Sequence, residues 1–242
     1  MPVPDPTRTA FLRAQPFAHR GLHGHGRVEN SRAAFVAAIA AGHGIECDVQ
    51  ASRDGEAFVF HDADLDRLTD QTGPLRDRSA KTLDGIRLTG TEETIPTLYQ
   101  LLARTLGRVP ILIEIKTPGG DIVPICRAVA RELDGYRGAV AIMAFHPGVP
   151  RWFRRNAPQV VRGLVVTEEN RRGLKHDAAR TLALAYAKPD FLAYDIRSLP
   201  SPFAAHARAR GMPVLTWTVR DAIGERTAFA HADEVIFEGI DR

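Results

Sequence analysis

Three short segments carry carboxylates, cations and histidines at spacings that could do chemistry. Glu46-Cys47-Asp48 lies in the run IECDVQA, and Glu114-Ile115-Lys116 closes the run ILIEIK. In an extended chain successive side chains alternate faces, so Glu46 and Asp48 share one face and Ile45, Cys47 and Val49 the other. The same alternation sets Leu112, Glu114 and Lys116 against Ile111, Ile113 and Ile115. If the isoleucine-rich faces meet a packed layer, three carboxylates and a lysine turn inward, where they cannot stay unpaired. Three such oxygen donors suit a hard divalent cation, Mg²⁺ or Ca²⁺, whereas zinc calls for more His or Cys. A salt-bridge cluster of Glu46, Asp48 and Glu114 with Arg20 and Lys116 accounts for the same residues without a metal. Arg20 and Lys116 together suit a phosphate or another anion. His19 and His61 both fall at strand ends. Singly, each reads as a structural or surface histidine; together beside a metal and two cations, they read as an acid–base couple.

These residues need elements that bring strand ends together. Strands are expected at Phe17–His19, Ile45–Ala51, Ile111–Ile115, Ala139–Met143, Val160–Val165, Phe191–Tyr194, Val214–Val219 and Glu234–Phe237. Amphipathic runs fall at Ser31–Ala41, Leu98–Leu106, Ile122–Leu133, Val149–Asn156, Asp177–Ala187, Pro202–Arg210 and Asp221–Ala230. Alternating strands and helices read as α/β with a parallel sheet, and eight strands suggest closure into a (β/α)₈ TIM barrel. An open doubly wound sheet is the alternative. It is weakened by the absence of a Gly-x-Gly-x-x-Gly turn after the first strand. The rhythm breaks after Ala51: Asp54-Gly55 marks a tight turn, Ala57–Phe60 an extended return, and residues 63–96 a small insertion between the second and third barrel strands. Such insertions commonly form walls or lids on a catalytic face. Residues 1–242 are read as one domain that includes this insertion.

Length and composition agree. The chain has 242 residues, 44% hydrophobic and 25% charged, ordinary for a globular protein and enough for a sizeable core. Disorder, collagen-like repeats and coiled coils are excluded. The net charge of +3 is too small to argue for nucleic acid. Lysine is scarce, at Lys81, Lys116, Lys175 and Lys188 only, so Lys116 stands out. Arg151, Arg154 and Arg155 on one expected helix read as a solvated face, with a membrane or partner contact as the other reading. Cys47 and Cys126 do not make a disulfide framework. With no apolar signal-like segment at the N-terminus and no run long enough to span a bilayer, a cytoplasmic protein without a transmembrane segment is expected.

The ordered segments resemble the glycerophosphodiester phosphodiesterase family. His19-Arg20-Gly21, Glu29-Asn30-Ser31 followed by Ala34-Phe35, Glu46-x-Asp48-Val49, His61-Asp62 with Asp64-Leu65-Asp66-Arg67-Leu68-Thr69, Ile95-Pro96-Thr97-Leu98, Glu114-x-Lys116 and Trp217-Thr218-Val219 all match its pattern in order. Any one motif is weak; the full series, from about Phe17 to Phe237, is specific. The resemblance implies a (β/α)₈ barrel that hydrolyses glycerophosphodiesters with a divalent metal. It implies Glu46, Asp48 and Glu114 as metal ligands and His19 and His61 as catalytic general base and acid. Arg20 and Lys116 would bind phosphate and Trp217 would wall the substrate. A small-molecule phosphodiester is the implied partner; family habit also allows a homodimer. Departures from the pattern are Val28 before Glu29, Ala144 before Phe145, Arg220 after Val219, and Phe237-Glu238 at the last strand. None removes a proposed ligand or histidine. A lysophospholipase D-like enzyme and a non-catalytic phosphate-metabolite-binding barrel remain as other readings of the same residues.

Overall fold

The computed structural model describes residues 5–170 and 173–239. Strands are β1 Phe17–Ala18, β2 Gly44–Ala51, β3 Ala57–Val59, β4 Ile111–Ile115, β5 Val140–Ala144, β6 Val161–Val166, β7 Phe191–Asp195, β8 Val214–Val219 and β9 Glu234–Phe237. Helices are α1 Pro6–Thr9, α2 Arg32–Ala40, α3 Ala80–Asp84, α4 Leu98–Thr105, α5 Val123–Leu133, α6 Gly148–Asn156, α7 Leu174–Ala187, α8 Pro202–Ala209 and α9 Ala222–His231. All strands but β3 form the parallel set, and with helices between them they make the expected closed (β/α)₈ barrel. Among the described residues, no helix is long and apolar enough to cross a membrane.

The chain divides into two compact units, Ala18–Ala139 and the remainder. In the Ala18–Ala139 unit β2 pairs in parallel with β4, in the register Glu46↔Leu112 and Asp48↔Glu114. The long β2 continues past that pairing and turns back antiparallel onto β3, with Val49 opposite Val59 and Ala51 opposite Ala57. Gly55, at a φ of 85°, takes the left-handed position of this turn, a conformation that costs glycine least. The insertion packs onto the return that precedes it: Leu65, Leu75, Leu83, Ile86, Leu88 and Ile95 form one buried cluster with Phe58 and Phe60. Its end is fastened to α2, whose first free amides, Arg32 N and Ala33 N, donate to Glu93 at 2.9 and 3.2 Å. A carboxylate at a helix N-terminus satisfies orphan donors and complements the helix dipole. Ser31 completes the cap by accepting from Ala34 N at 3.1 Å.

In the other unit β5 to β9 pair in parallel and in sequence order. One core cluster joins Leu164, Leu192, Tyr194 and Val214 of the strands to Leu184 of α7 and Ala204 of α8. The expected elements are all present, with ends moved by at most three residues. One shift bears on chemistry. β1 stops at Ala18 rather than His19, because Arg20 and Gly21 take positive φ values of 56° and 75° and turn the chain out of extended geometry.

Candidate active site

Glu46 and Asp48 are each 1% exposed and Glu114 8%. One ligand oxygen from each lies within 4.8 Å of the others. The alternation along β2 and the register with β4 bring these three together: Asp48 sits directly opposite Glu114, and Glu46 precedes it on the same face. Gln50 continues that face. It is 1% exposed, and its amide donates to Phe60 O at 2.9 Å and Asp62 O at 2.6 Å. One strand face therefore carries the carboxylates and also pins the segment bearing His61.

The turn after β1 is held against the same strand. Arg20 N donates to Glu46 Oε2 at 2.9 Å, and Gly21 N to Glu46 O at 3.1 Å. Gly21 needs both its left-handed φ and its missing side chain, since a Cβ there would stand 2.9 Å from Ala34 Cβ on α2. His19 Nε2 lies 3.9 Å from Glu46 Oε2. Asn30, also left-handed at a φ of 55°, donates through its side-chain amide to Asp48 Oδ2 at 3.0 Å.

The two cations are engaged by the carboxylates. Arg20 Nε lies 3.2 Å from Asp48 Oδ2, and Arg20 also donates to Glu29 at 2.7 Å. Lys116 Nζ lies 2.7 Å from Glu114 and 3.0 Å from Asp48 Oδ1. Burial alone would raise the Asp48 acid; the nearby Lys116, His61, Arg20 and His19 outweigh it and hold Asp48 well below the usual carboxylate range. Burial would likewise lower Lys116, yet Asp48 and Glu114 raise it, so it stays an ammonium.

Glu46 is different. Its Oε1 is buried without a hydrogen-bond partner. Burial, reinforced by Asp48 and Glu114, pushes its acid up to about 8. Asp48 Oδ1 is also without a hydrogen bond but has the Lys116 ammonium at 3.0 Å, so the salt-bridge cluster weighed from sequence gives Asp48 and Glu114 cationic partners and leaves a Glu46 oxygen over. A buried acceptor among three carboxylates is what a hard divalent cation would satisfy, so the residues fit Mg²⁺ or Ca²⁺. Cys47, on the opposite face of β2, is a buried free thiol. Burial and then the three carboxylates push it well up, which excludes a ready thiolate nucleophile.

His61 is oriented by a chain of ion pairs. Its Nδ1 lies 2.7 Å from Asp62 Oδ1. Arg67 donates to Asp62 at 2.6 and 3.0 Å and to Glu29 at 3.0 and 2.7 Å. Glu29 in turn accepts from Arg20. The series His61–Asp62–Arg67–Glu29–Arg20–Asp48 thus links a histidine to the carboxylates. Burial would raise Asp62, but the bonds from Arg67 and His61 bring it down to about 2. Asn30, Gln50, Asp62, Glu29 and Arg67 received no role from sequence reasoning. Glu29, Asn30, Asp62 and Arg67 lie within the matched family segments, and Gln50 is the next member of the Glu46–Asp48 alternation, so a signal for each was there.

His19, Arg20, Glu46, Asp48, His61, Glu114 and Lys116 thus all belong to the Ala18–Ala139 unit. Trp217 belongs to the other unit, on β8. Its indole donates to Ala193 O at 3.0 Å and meets the Phe145 ring edge-to-face at 5.6 Å. In that unit two departures from the family pattern answer one another, because Arg220 donates to Glu238 at 2.8 Å.

Fold and site together define a (β/α)₈ barrel with a buried set of oxygen donors beside two cations and two histidines. The model of the glycerophosphoryl diester phosphodiesterase family matches residues 19–240, and the chain belongs to that family. It is 36% identical over 121 residues to the glycerophosphodiester phosphodiesterase of Caldanaerobacter subterraneus, covering 46% of this chain and 48% of that protein. It is 31% identical over 155 residues to that of Bacillus altitudinis, covering 60% and 63%. The matches thus span from about half to less than two thirds of these relatives. Among solved structures, a phosphodiesterase of Oleispira antarctica in complex with the product sn-glycerol-3-phosphate shares the fold, with a TM-score of 0.82 at 22% identity, covering 94% of this chain and 93% of that one. The glycerophosphodiester phosphodiesterase of Thermotoga maritima gives a TM-score of 0.73 at 26% identity, covering 92% and 94%.

Proposed function

We propose that this chain is a metal-dependent enzyme that hydrolyses glycerophosphodiesters to glycerol 3-phosphate and an alcohol. The observation that carries the reading is the buried Glu46 oxygen without a partner, set among Asp48 and Glu114. Glu46, Asp48 and Glu114 would hold Mg²⁺ or Ca²⁺, which when bound supplies Lewis-acid neutralisation of the phosphoryl oxygens. Arg20 and Lys116 would bind the phosphate, exchanging part of their pairing with Asp48 and Glu114 for the substrate's charge. His19, near Glu46, would take the proton of the nucleophile. His61 would give a proton to the leaving alkoxide oxygen. Its Nδ1 is committed to Asp62, which leaves Nε2 as the nitrogen for the transfer. Trp217 would wall the substrate. Two nucleophiles are chemically open: the neighbouring glycerol hydroxyl, giving a cyclic phosphate that water then opens, or water directly.

The buried fate of the insertion's leucines and isoleucines favours a small diester over a lysophospholipid, since these side chains are spent on one another and on Phe58 and Phe60. A cytoplasmic setting is part of the proposal; the two free thiols fit a reducing compartment. The test is release of glycerol 3-phosphate from glycerophosphocholine or glycerophosphoethanolamine by the purified protein with Mg²⁺ or Ca²⁺, beside lysophosphatidylcholine as the competing substrate. Turnover of a glycerophosphodiester that ceases on chelation supports the reading. Binding of glycerol phosphate with no turnover of any diester overturns it in favour of a metabolite-binding barrel.

A further inference from the structure

α7 is a helix with apolar residues on the wrong side. Of its 14 residues, Leu184 and Ala187 are the buried ones, and Ala183 is partly buried against the same core. At about 3.6 residues per turn, the opposite face holds Leu174, Ala178, Leu182, Ala185 and Tyr186, with Lys175 among them. The three large apolar side chains there are 88%, 70% and 49% exposed, for Leu174, Leu182 and Tyr186 respectively. Exposed leucines scattered singly are ordinary; a row of them along a helix about 20 Å long is not. The acid of α7, Asp177, stands one turn on from Leu174, on the edge of this face, and is tied to Arg180.

The neighbouring surface is basic. α6 reads Gly-Val-Pro-Arg-Trp-Phe-Arg-Arg-Asn and contains no acid. Its Arg151 guanidinium stacks over the Tyr186 ring at 4.2 Å, so the arginines of α6 adjoin the apolar row of α7. Arg154 and Arg155 follow at three and four residues, on the same side of the helix as Arg151. The combination is an apolar stripe with an aromatic ring at one end, edged by arginines on the α6 side, while the acid on its other edge, Asp177, is paired with Arg180. A second copy of this chain meeting the face symmetrically would set arginine against arginine. An anionic lipid surface meets both needs: its acyl boundary takes the leucines, and its headgroups take Arg151, Arg154, Arg155 and Lys175.

We infer that the α6–α7 face is a peripheral docking surface for anionic membranes, with α7 lying in the plane of the interface. This inference stands on the exposed face alone and does not depend on the reaction proposed above. The test is co-sedimentation of the full chain with vesicles of phosphatidylcholine alone and of phosphatidylcholine mixed with phosphatidylglycerol. Binding is expected to the mixed vesicles only, and it should weaken as salt is raised. The double variant Leu174→Glu/Leu182→Glu should lose at least about tenfold in vesicle affinity with an unchanged circular dichroism spectrum and thermal midpoint. Arg154→Glu/Arg155→Glu, a second and independent variant, should weaken binding and flatten its salt dependence. Three results would overturn the inference: no binding to mixed vesicles, binding untouched by both variants, or a leucine variant that only changes the mass measured by light scattering. The last would make the face a contact between copies of this chain.

Discussion

At the scale of single residues, the site is a charge balance with one oxygen over. Asp48 and Glu114 have cationic partners, and Glu46 has a backbone amide and an unsatisfied Oε1. Mg²⁺ or Ca²⁺ should therefore raise the thermal midpoint of the wild-type protein, since a ligand that binds only the native state stabilises it by mass action. Glu46→Gln should abolish that rise; an equal rise in the variant would remove Glu46 from the metal site. His19→Ala should cost at least about 100-fold in kcat, the low end for a positioned acid–base group. A near-wild-type rate would remove His19 from the mechanism. Asp62 allows a signed pH prediction. Its folded value, about 2, lies below the ordinary 3.8. A depressed carboxylate contributes stability in full above the unfolded value, and that contribution is lost as pH falls through the folded one. The stability gap between wild type and Asp62→Asn should be constant above pH 4 and narrow as pH falls from about 4 toward 2, as read by thermal melts.

At the scale of elements, the tight place is the approach of the β1 turn to α2. Gly21 combines a φ of 75° with a virtual Cβ 2.9 Å from Ala34 Cβ and 3.0 Å from Phe35. Gly21→Ala should destabilise the fold by about 1–3 kcal/mol through strain and overpacking. It should also lower kcat, because the same turn delivers the Arg20 amide to Glu46. Urea unfolding and steady-state kinetics on one sample check both; unchanged stability would show that the turn has room. The insertion is a second element with a definite task. It is fastened by Glu93 to the start of α2, and its Arg67 bonds both Glu29 and Asp62, the latter in the segment just before it that Gln50 pins to β2.

At the scale of the whole molecule, the reading of residues 1–242 as one domain predicts a single cooperative unfolding transition seen identically by fluorescence and circular dichroism. Two resolved transitions would instead assign separate stabilities to the compact units. The net charge of +3 is less informative than its distribution: arginines line α6, whereas Arg20 and Lys116 are held among buried carboxylates. The barrel was legible because most of its strands are short runs rich in β-branched or aromatic residues and most of its helices are alanine- or leucine-bearing runs at helical spacing. Such patterns are local. Glu46 and Asp48 sharing a face, and Glu114 and Lys116 sharing another, follow from a period of two along the chain and were correctly set by sequence alone.

What sequence could not decide is which charges meet. Asp48 bonds Asn30 and Arg67 bonds Glu29, pairs separated by 18 and 38 positions. Those meetings depend on the left-handed turns at Arg20 and Asn30 and on the insertion's folded path, and no local periodicity encodes either. The partnerless Glu46 oxygen is likewise a tertiary fact, because burial and the positions of every nearby donor must be known before an acceptor can be found lacking one. The sequence thus determined the fold class, the inward carboxylates and the family. The tertiary structure decided which cation answers which carboxylate, what orients His61, and that α7 turns Leu174 and Leu182 outward.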